Sequence, residues 1–109
     1  MSSVRDTYMK DYGITEHEVE LLLEYCRSAD KEQQAMILNA VQITNDCIAV
    51  PLFINLTSGI GYDRISDWYF IPMQRKDFQG YRRKALKILK DLIVMHKETE
   101  KDSMKQNTL

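Results

Sequence analysis

The chain has 109 residues, of which 44% are hydrophobic and 28% charged, and it contains four glycines and two prolines. This composition is typical of one compact domain and excludes a largely disordered or collagen-like chain. The main apolar run, Cys47 to Thr57, is shorter than the roughly 20 apolar residues that a membrane-spanning helix needs. Residues 1–11 lack the apolar region of a secretory signal, so we expect a cytoplasmic protein that makes no membrane contact.

The first predicted helix follows an N-terminal arm, residues 1–13, that ends at Gly13. We expect this helix to begin after Thr15, because the Thr15 hydroxyl and the Glu18 carboxylate can form a reciprocal capping box. Apolar residues then recur at helical spacing, which predicts an amphipathic helix ending near Arg27. They are Val19, Leu22, Leu23 and Cys26.

A second capping pair, Asp30 and Gln33, predicts the start of another helix that runs through Ile43. This segment is apolar nearly all round, so we expect it in the middle of the domain with other helices on its sides. Pro51 lacks the amide that an interior helix position must donate, which predicts a break between residues 44 and 51.

A third buried segment, Ile48 to Leu56, should continue until Gly59 and Gly61 permit a turn. Helix is favoured there by context. The β-branched residues between 43 and 54 leave a strand as the alternative.

The last third of the chain is predicted to hold a short helix at Tyr62–Trp68, a connection at Tyr69–Met73 that contains a proline, and a long helix at Gln74–Lys97. Residues 98–109 are expected to form a flexible tail. At 100° per residue, one face of the long helix is apolar and predicted to enter the core. It comprises Phe78, Tyr81, Ala85, Ile88, Leu89, Leu92 and His96.

Cysteine and histidine residues give no sign of a metal site. Cys26 and Cys47 lie in apolar stretches without a CxxC pattern, so we expect two buried free thiols. His17 and His96 have no partners at ligand spacing. Glycine-rich phosphate loops, nucleophile elbows and HExxH motifs are also missing from the sequence, so we expect no enzyme, no metal and no cofactor.

Charge is distributed unevenly along the chain. Residues 1–61 carry four basic and nine acidic groups, a net charge of −5, whereas residues 62–109 carry eleven and seven, a net charge of +4. Residues 74–90 alone carry +6. Such a cluster is typical of a surface that faces a polyanion. The alternative is a solvated helix face whose charges pair with the acidic half of the chain.

A short helix, a turn and a longer helix with a basic outer face form a helix-turn-helix arrangement, in which the second helix enters the major groove. We expect Gln79 and Arg83 to point toward bases, lysines toward phosphates, and Gly80 to permit close backbone approach. The predicted DNA-binding residues are Arg75, Lys76, Gln79, Arg82, Arg83, Lys84, Lys87 and Lys90. Dimerisation would supply a second half-site.

The segment from Leu56 to Leu92 resembles the helix-turn-helix of region four of sigma factors and of sigma-like phage regulators. Gly59, Tyr62 and Ile65 match the opening of that motif, and Ile71 matches its turn. The reader helix and its packing are matched by Phe78, Arg82, Ala85, Leu86 and Leu89. The whole chain is also similar to small proteins of phages and mobile elements in Gram-positive bacteria. The first resemblance implies a small DNA-binding regulator, and the second implies only a phage or mobile-element context.

The sequence thus predicts an all-α protein with one compact helical domain of four to five helices at 1–97, including a helix-turn-helix-like unit at 56–92. Its expected partner is duplex DNA. The competing hypothesis is a phage-encoded inhibitor of a host nuclease, of the anti-CRISPR type, whose acidic residues mimic phosphate spacing. Those residues are Glu16, Glu18, Glu20, Glu24, Asp30 and Glu32. A structural adaptor that binds another protein is the third alternative.

Overall fold

Five α-helices build the protein in the computed structural model, which describes the backbone of residues 6–107 and the side chains of residues 6–98. They are α1 (Glu16–Arg27), α2 (Lys31–Thr44), α3 (Ala49–Ser58), α4 (Tyr62–Ser66) and α5 (Arg75–Asn107), with short 3₁₀ turns at Met9–Tyr12 and Asp46–Ile48. No strand occurs between residues 6 and 107. The all-α prediction is confirmed, and the strand alternative for 43–54 is wrong.

Helices α1 and α2 begin at the two predicted capping boxes. The Thr15 hydroxyl accepts a hydrogen bond from the Glu18 amide at 3.2 Å, and the Glu18 carboxylate accepts one from the Thr15 amide at 3.2 Å. Asp30 and Gln33 exchange the same pair of bonds, both at 2.9 Å. These caps satisfy amides that have no partner inside the helix.

The predicted break after α2 occupies Asn45 to Ile48. The Asn45 side chain accepts from the Cys47 amide at 3.0 Å and so caps the 3₁₀ turn. Pro51 then falls in the first turn of α3, where backbone amides have no intrahelical acceptor. Helix α3 ends at Gly59, whose φ of 82° lies in the left-handed region that glycine adopts most readily.

Helix α2 packs against α1, α3 and α5, and the core lies between these four helices. Its largest fully buried side chains include Ile37, Leu52, Leu56, Phe78 and Leu89. The expectation that α2 lies in the middle of the domain with other helices on its sides is confirmed. Two of its apolar side chains, Leu38 and Ile43, are nevertheless 40% and 56% exposed. Three neighbours cover only part of a helix, and one apolar side of α2 stays open to solvent.

The buried face of α5 is rotated relative to the sequence prediction. Phe78, Ala85 and Leu89 are buried as expected, and Leu86 is buried as well. The other predicted core residues of α5 are less enclosed: Tyr81, Ile88 and Leu92 are half-buried and His96 is exposed. The rotation turns the side of α5 that carries Leu86 and Arg82 toward α3. Arg82, one of the predicted DNA contacts, thereby reaches Asn55.

Helix α5 continues through Asn107, well past the predicted end at Lys97. No glycine or proline occurs in residues 98–107, and glutamate, lysine, methionine and glutamine favour the helical backbone. Residues 1–5 of the predicted arm and residues 108–109 of the predicted tail lie outside the described residues. Within the described residues, no helix is long and apolar enough to cross a membrane.

The two cysteines differ in exposure, so the expectation of two buried thiols is wrong. Cys26 is 1% exposed, and burial raises the pKa of its thiol to about 11. Cys47 is exposed, because the 3₁₀ turn directs its neighbour Ile48 into the core instead. A thiolate is the reactive form of cysteine, so the burial of Cys26 and the raised pKa of its thiol both disfavour reaction there, whereas Cys47 is open to reagents.

We therefore expect a thiol reagent at pH 8 to modify one cysteine per folded chain and two in denaturant. The Cys47→Ser variant should lose the reaction of the folded state, as measured by absorbance of the released chromophore. Two thiols reacting at similar rates in the folded protein would contradict the burial of Cys26.

Candidate functional site

The connection between α4 and α5 is fixed by contacts with the core. The Tyr62 hydroxyl donates to the Met73 carbonyl, and the Tyr62 ring lies 5.5 Å from the Phe78 ring, centroid to centroid. Ile65 in α4 and Ile71 within the connection are both buried. Helix α4 packs against both α3 and α5, so the start of α5 has a defined position relative to residues 62–74.

Arg82 is half-buried, and its guanidinium bonds a buried side chain of α3. Its Nε donates to the side-chain oxygen of Asn55 at 2.7 Å, and the Asn55 amide donates to the Ile60 carbonyl at 2.9 Å. Burial, and next the neighbouring Arg27 guanidinium, lowers the pKa of Arg82. Arg82 therefore ties α5 to the end of α3, a role that the sequence did not predict.

The expectation that Gly80 permits close approach of a DNA backbone is wrong, because this residue is buried.

The N-terminal arm lies against the same part of α5. The Arg83 Nε donates to the Thr7 carbonyl at 2.6 Å, and the Arg83 guanidinium carbon lies 5.4 Å from the centre of the Tyr8 ring. Arg83 thus holds the N-terminal arm against α5.

Three of the predicted basic residues form ion pairs. Arg75 makes two hydrogen bonds to the Asp63 carboxylate, at 2.9 and 3.1 Å, and Lys87 pairs with Asp91 one turn later at 2.8 Å. Lys90 pairs with Glu18 of α1, and this contact is the largest cause that lowers the pKa of the Glu18 carboxyl.

The sequence also allowed a solvated basic face whose charges pair with acidic residues, and these three ion pairs agree with that alternative in part. Lys90 pairs with the acidic half of the chain itself. Solvent-exposed ion pairs contribute only about 0–1 kcal/mol each, so a stronger anion can replace the carboxylate. Arg75 and Asp63 are the most exposed of these partners, with side chains 63% and 71% accessible.

Lys76, Gln79 and Lys84 remain the predicted contacts whose side chains make no hydrogen bond or ion pair with the part of the chain that the structure describes. Lys76 is exposed, and Gln79 and Lys84 are half-buried. Their side chains can meet a ligand without first breaking a protein contact.

A groove of about 530 Å³ opens at the first turns of α5. Four of the eight predicted residues line it: Arg75, Lys76, Gln79 and Arg83. The N-terminal arm completes it with Asp6 and Tyr8, which the sequence prediction missed. The α5 amino end adds the partial positive charge of the helix dipole.

The residues of the groove converge from distant parts of the chain. Arg83 and Thr7 are separated by 76 positions, and no local pattern relates them. Three cationic side chains and one amide around an open space can hold an anion such as a phosphate group. The Asp6 carboxylate also lines the groove and repels an anion, so removing its charge should strengthen anion binding.

The acidic residues of the competing hypothesis are only partly available. Glu16, Glu20 and Glu24 are exposed on α1. Glu18 is held by Lys90, and Asp30 caps α2. Two further clefts, of about 570 and 240 Å³, lie between α5 and helices α2 and α1. Among the described side chains, no group of three or more histidine, cysteine or acidic residues could hold a metal ion.

Comparisons with protein-family models, with curated proteins and with solved structures found no match to this chain. What the fold defines is a small all-α protein, and its function rests on the site alone.

Proposed function

We propose that this protein is a DNA-binding regulator of the phage or mobile-element type that binds duplex DNA through the groove at the start of α5 and the basic side chains that follow it. The observation that carries the proposal is the convergence of Arg75, Lys76, Gln79 and Arg83 on one groove. Guanidinium and ammonium groups bind phosphate, and an amide can reach a base edge. The regulatory part of the proposal rests on the resemblance of residues 56–92 to sigma region four.

The spacing of the basic residues along α5 suits a phosphate backbone. Lys76, Arg83, Lys87 and Lys90 recur on one side of the helix at 100° per residue. With a rise of 1.5 Å per residue, they extend over about 21 Å, and an α-helix of that length fits the major groove. Lys87 and Lys90 would exchange their carboxylate partners, Asp91 and Glu18, for phosphates.

The test compares two charge-reversed double variants. Lys76→Glu with Lys84→Glu changes the side chains that have no partner in the described structure, so folding should be least affected. Lys31→Glu with Lys97→Glu makes the same change in net charge at exposed positions outside the groove. Binding of a labelled duplex is measured by fluorescence anisotropy at several salt concentrations, and circular dichroism confirms folding.

We expect the variant with Lys76→Glu and Lys84→Glu to bind about tenfold more weakly or worse, and the dependence of log affinity on log salt to fall by about 1.8 for two lost phosphate contacts. The control variant should lose much less affinity. Asp6→Asn should bind more tightly than the unmodified protein, because it removes from the groove a negative charge that repels phosphate. Equal losses in the two double variants would contradict a specific role for the basic side chains of α5.

A second candidate is contact with another protein, favoured by the exposed apolar side chains on α1 and α2. Leu21 is 51% exposed and lines the cleft of about 240 Å³ together with Leu22, Tyr25 and Ile93. Charge reversal in the groove should leave such binding unchanged, so the same variants separate the two functions.

A further inference from the structure

Three consecutive aromatic residues are exposed in the connection between α4 and α5. Trp68, Tyr69 and Phe70 are 58%, 38% and 82% exposed. Aromatic rings of this size are ordinarily a large part of the buried surface of a domain. The core beneath this connection is filled by Ile65 and Ile71 instead, which are 0% and 7% exposed. We name residues 68–70 the aromatic turn.

Backbone contacts hold the aromatic turn in place. The Trp68 and Tyr69 amides both donate to the Ile65 carbonyl, at 3.1 and 2.8 Å, and the Met73 amide donates to the Ile71 carbonyl at 2.8 Å. The Tyr62 hydroxyl bonds the Met73 carbonyl from the other side. Ordering a loop opposes binding, so a turn that is already held loses less entropy when its rings contact a ligand.

The aromatic turn lies close to the proposed phosphate groove along the chain. Phe70 precedes Arg75 by five positions, which limits the distance between their Cα atoms to about 17 Å. Arg75 lines the groove and also bonds Asp63 of α4, so the groove and the connection share a residue. One nucleic-acid strand can therefore reach both.

We propose that the aromatic turn stacks on unpaired bases of the nucleic acid whose phosphates occupy the groove. This inference rests on the proposed function and deepens it: the protein binds a duplex most tightly where the bases are locally unpaired. Cationic grooves with neighbouring aromatic rings are the features by which proteins bind single strands, and stacking tolerates any base because every base has a π-face. In a closed duplex the bases are stacked on one another and offer no face to Trp68 or Phe70.

The chain offers a direct reporter, because Trp68 is its single tryptophan. Three probes are titrated into the full chain: a single-stranded oligothymidine, a fully paired duplex, and the same duplex with a central stretch of mismatched, unpaired bases. We expect the single strand and the opened duplex to quench Trp68 fluorescence and the paired duplex to leave it nearly unchanged. By anisotropy, the opened duplex should bind about tenfold more tightly than the paired one.

Phe70→Ala should abolish the preference for the opened duplex while retaining binding to the paired duplex, since it leaves the groove intact. Ile43→Ala, which truncates an exposed apolar side chain on α2, is the matched control and should keep the preference. Equal affinity for opened and paired duplex, or an unchanged preference in Phe70→Ala, would overturn the stacking inference and leave the proposed function standing. Failure of all three probes to bind would overturn both the stacking inference and the proposed function. A protein partner for the aromatic turn would then be the next hypothesis to test.

Discussion

The Asn55→Leu variant is expected to lose about 2–3 kcal/mol in the free energy of unfolding, because removing one side of a buried hydrogen-bond network leaves the other side unsatisfied. Asn55 is 7% exposed and bonds two partners at once, the Arg82 guanidinium and the Ile60 carbonyl. Leucine has the same branching at Cγ but can bond neither. The loss is measured by urea denaturation followed by circular dichroism.

Two further variants make this prediction specific. Asn39→Leu makes the same exchange at an exposed site on α2 and should change stability by no more than about 0.5 kcal/mol. The double variant Asn55→Leu with Arg82→Met should recover part of the loss, because replacing both polar partners avoids the unpaired guanidinium. A double variant whose loss equals the sum of the two single losses would contradict the coupling.

Arg82→Met also separates stability from binding. At temperatures where it is folded, this variant should bind DNA within about twofold of the unmodified protein, because Arg82 does not line the groove. Its sequence position among the basic residues of α5 predicts the opposite result.

The Phe78→Ala variant is expected to lose about 3–5 kcal/mol, the usual cost of emptying a fully buried phenylalanine site. Phe78 is 0% exposed, and the Tyr62 ring packs on it 5.5 Å away, so the cavity would also loosen α4 from α5. A loss of this size approaches the whole stability of many domains. Phe78→Leu, which should lose about 1 kcal/mol, keeps the experiment readable if the alanine variant does not fold.

The measurement is again the free energy of unfolding from urea denaturation. Phe53→Ala is the comparison, since Phe53 is only half-buried on α3 and should lose distinctly less. A loss for Phe78→Ala no greater than that for Phe53→Ala would contradict the central place of Phe78 in the core.

The sequence by itself determines the elements of this protein wherever the deciding contacts are local. The capping boxes at Thr15 and Asp30 each join residues three positions apart, and the left-handed end of α3 at Gly59 depends on one residue's backbone. Pro51 by itself excludes an uninterrupted helix from α2 into α3, because proline has no backbone amide to donate. For these features, a short stretch of sequence contains all the interacting atoms.

Helical periodicity predicts which side chains of α5 share a side, but not how that helix is rotated against its neighbours. Only the packing of α5 on α3 decides that Arg82 is withdrawn to Asn55, 27 positions away. Likewise, only the course of the chain brings Thr7 to Arg83, and only the packing of α1 on α5 brings Glu18 to Lys90. The basic segment was evident from composition, whereas the subset of its charges that faces a groove depends on contacts between residues far apart in the chain.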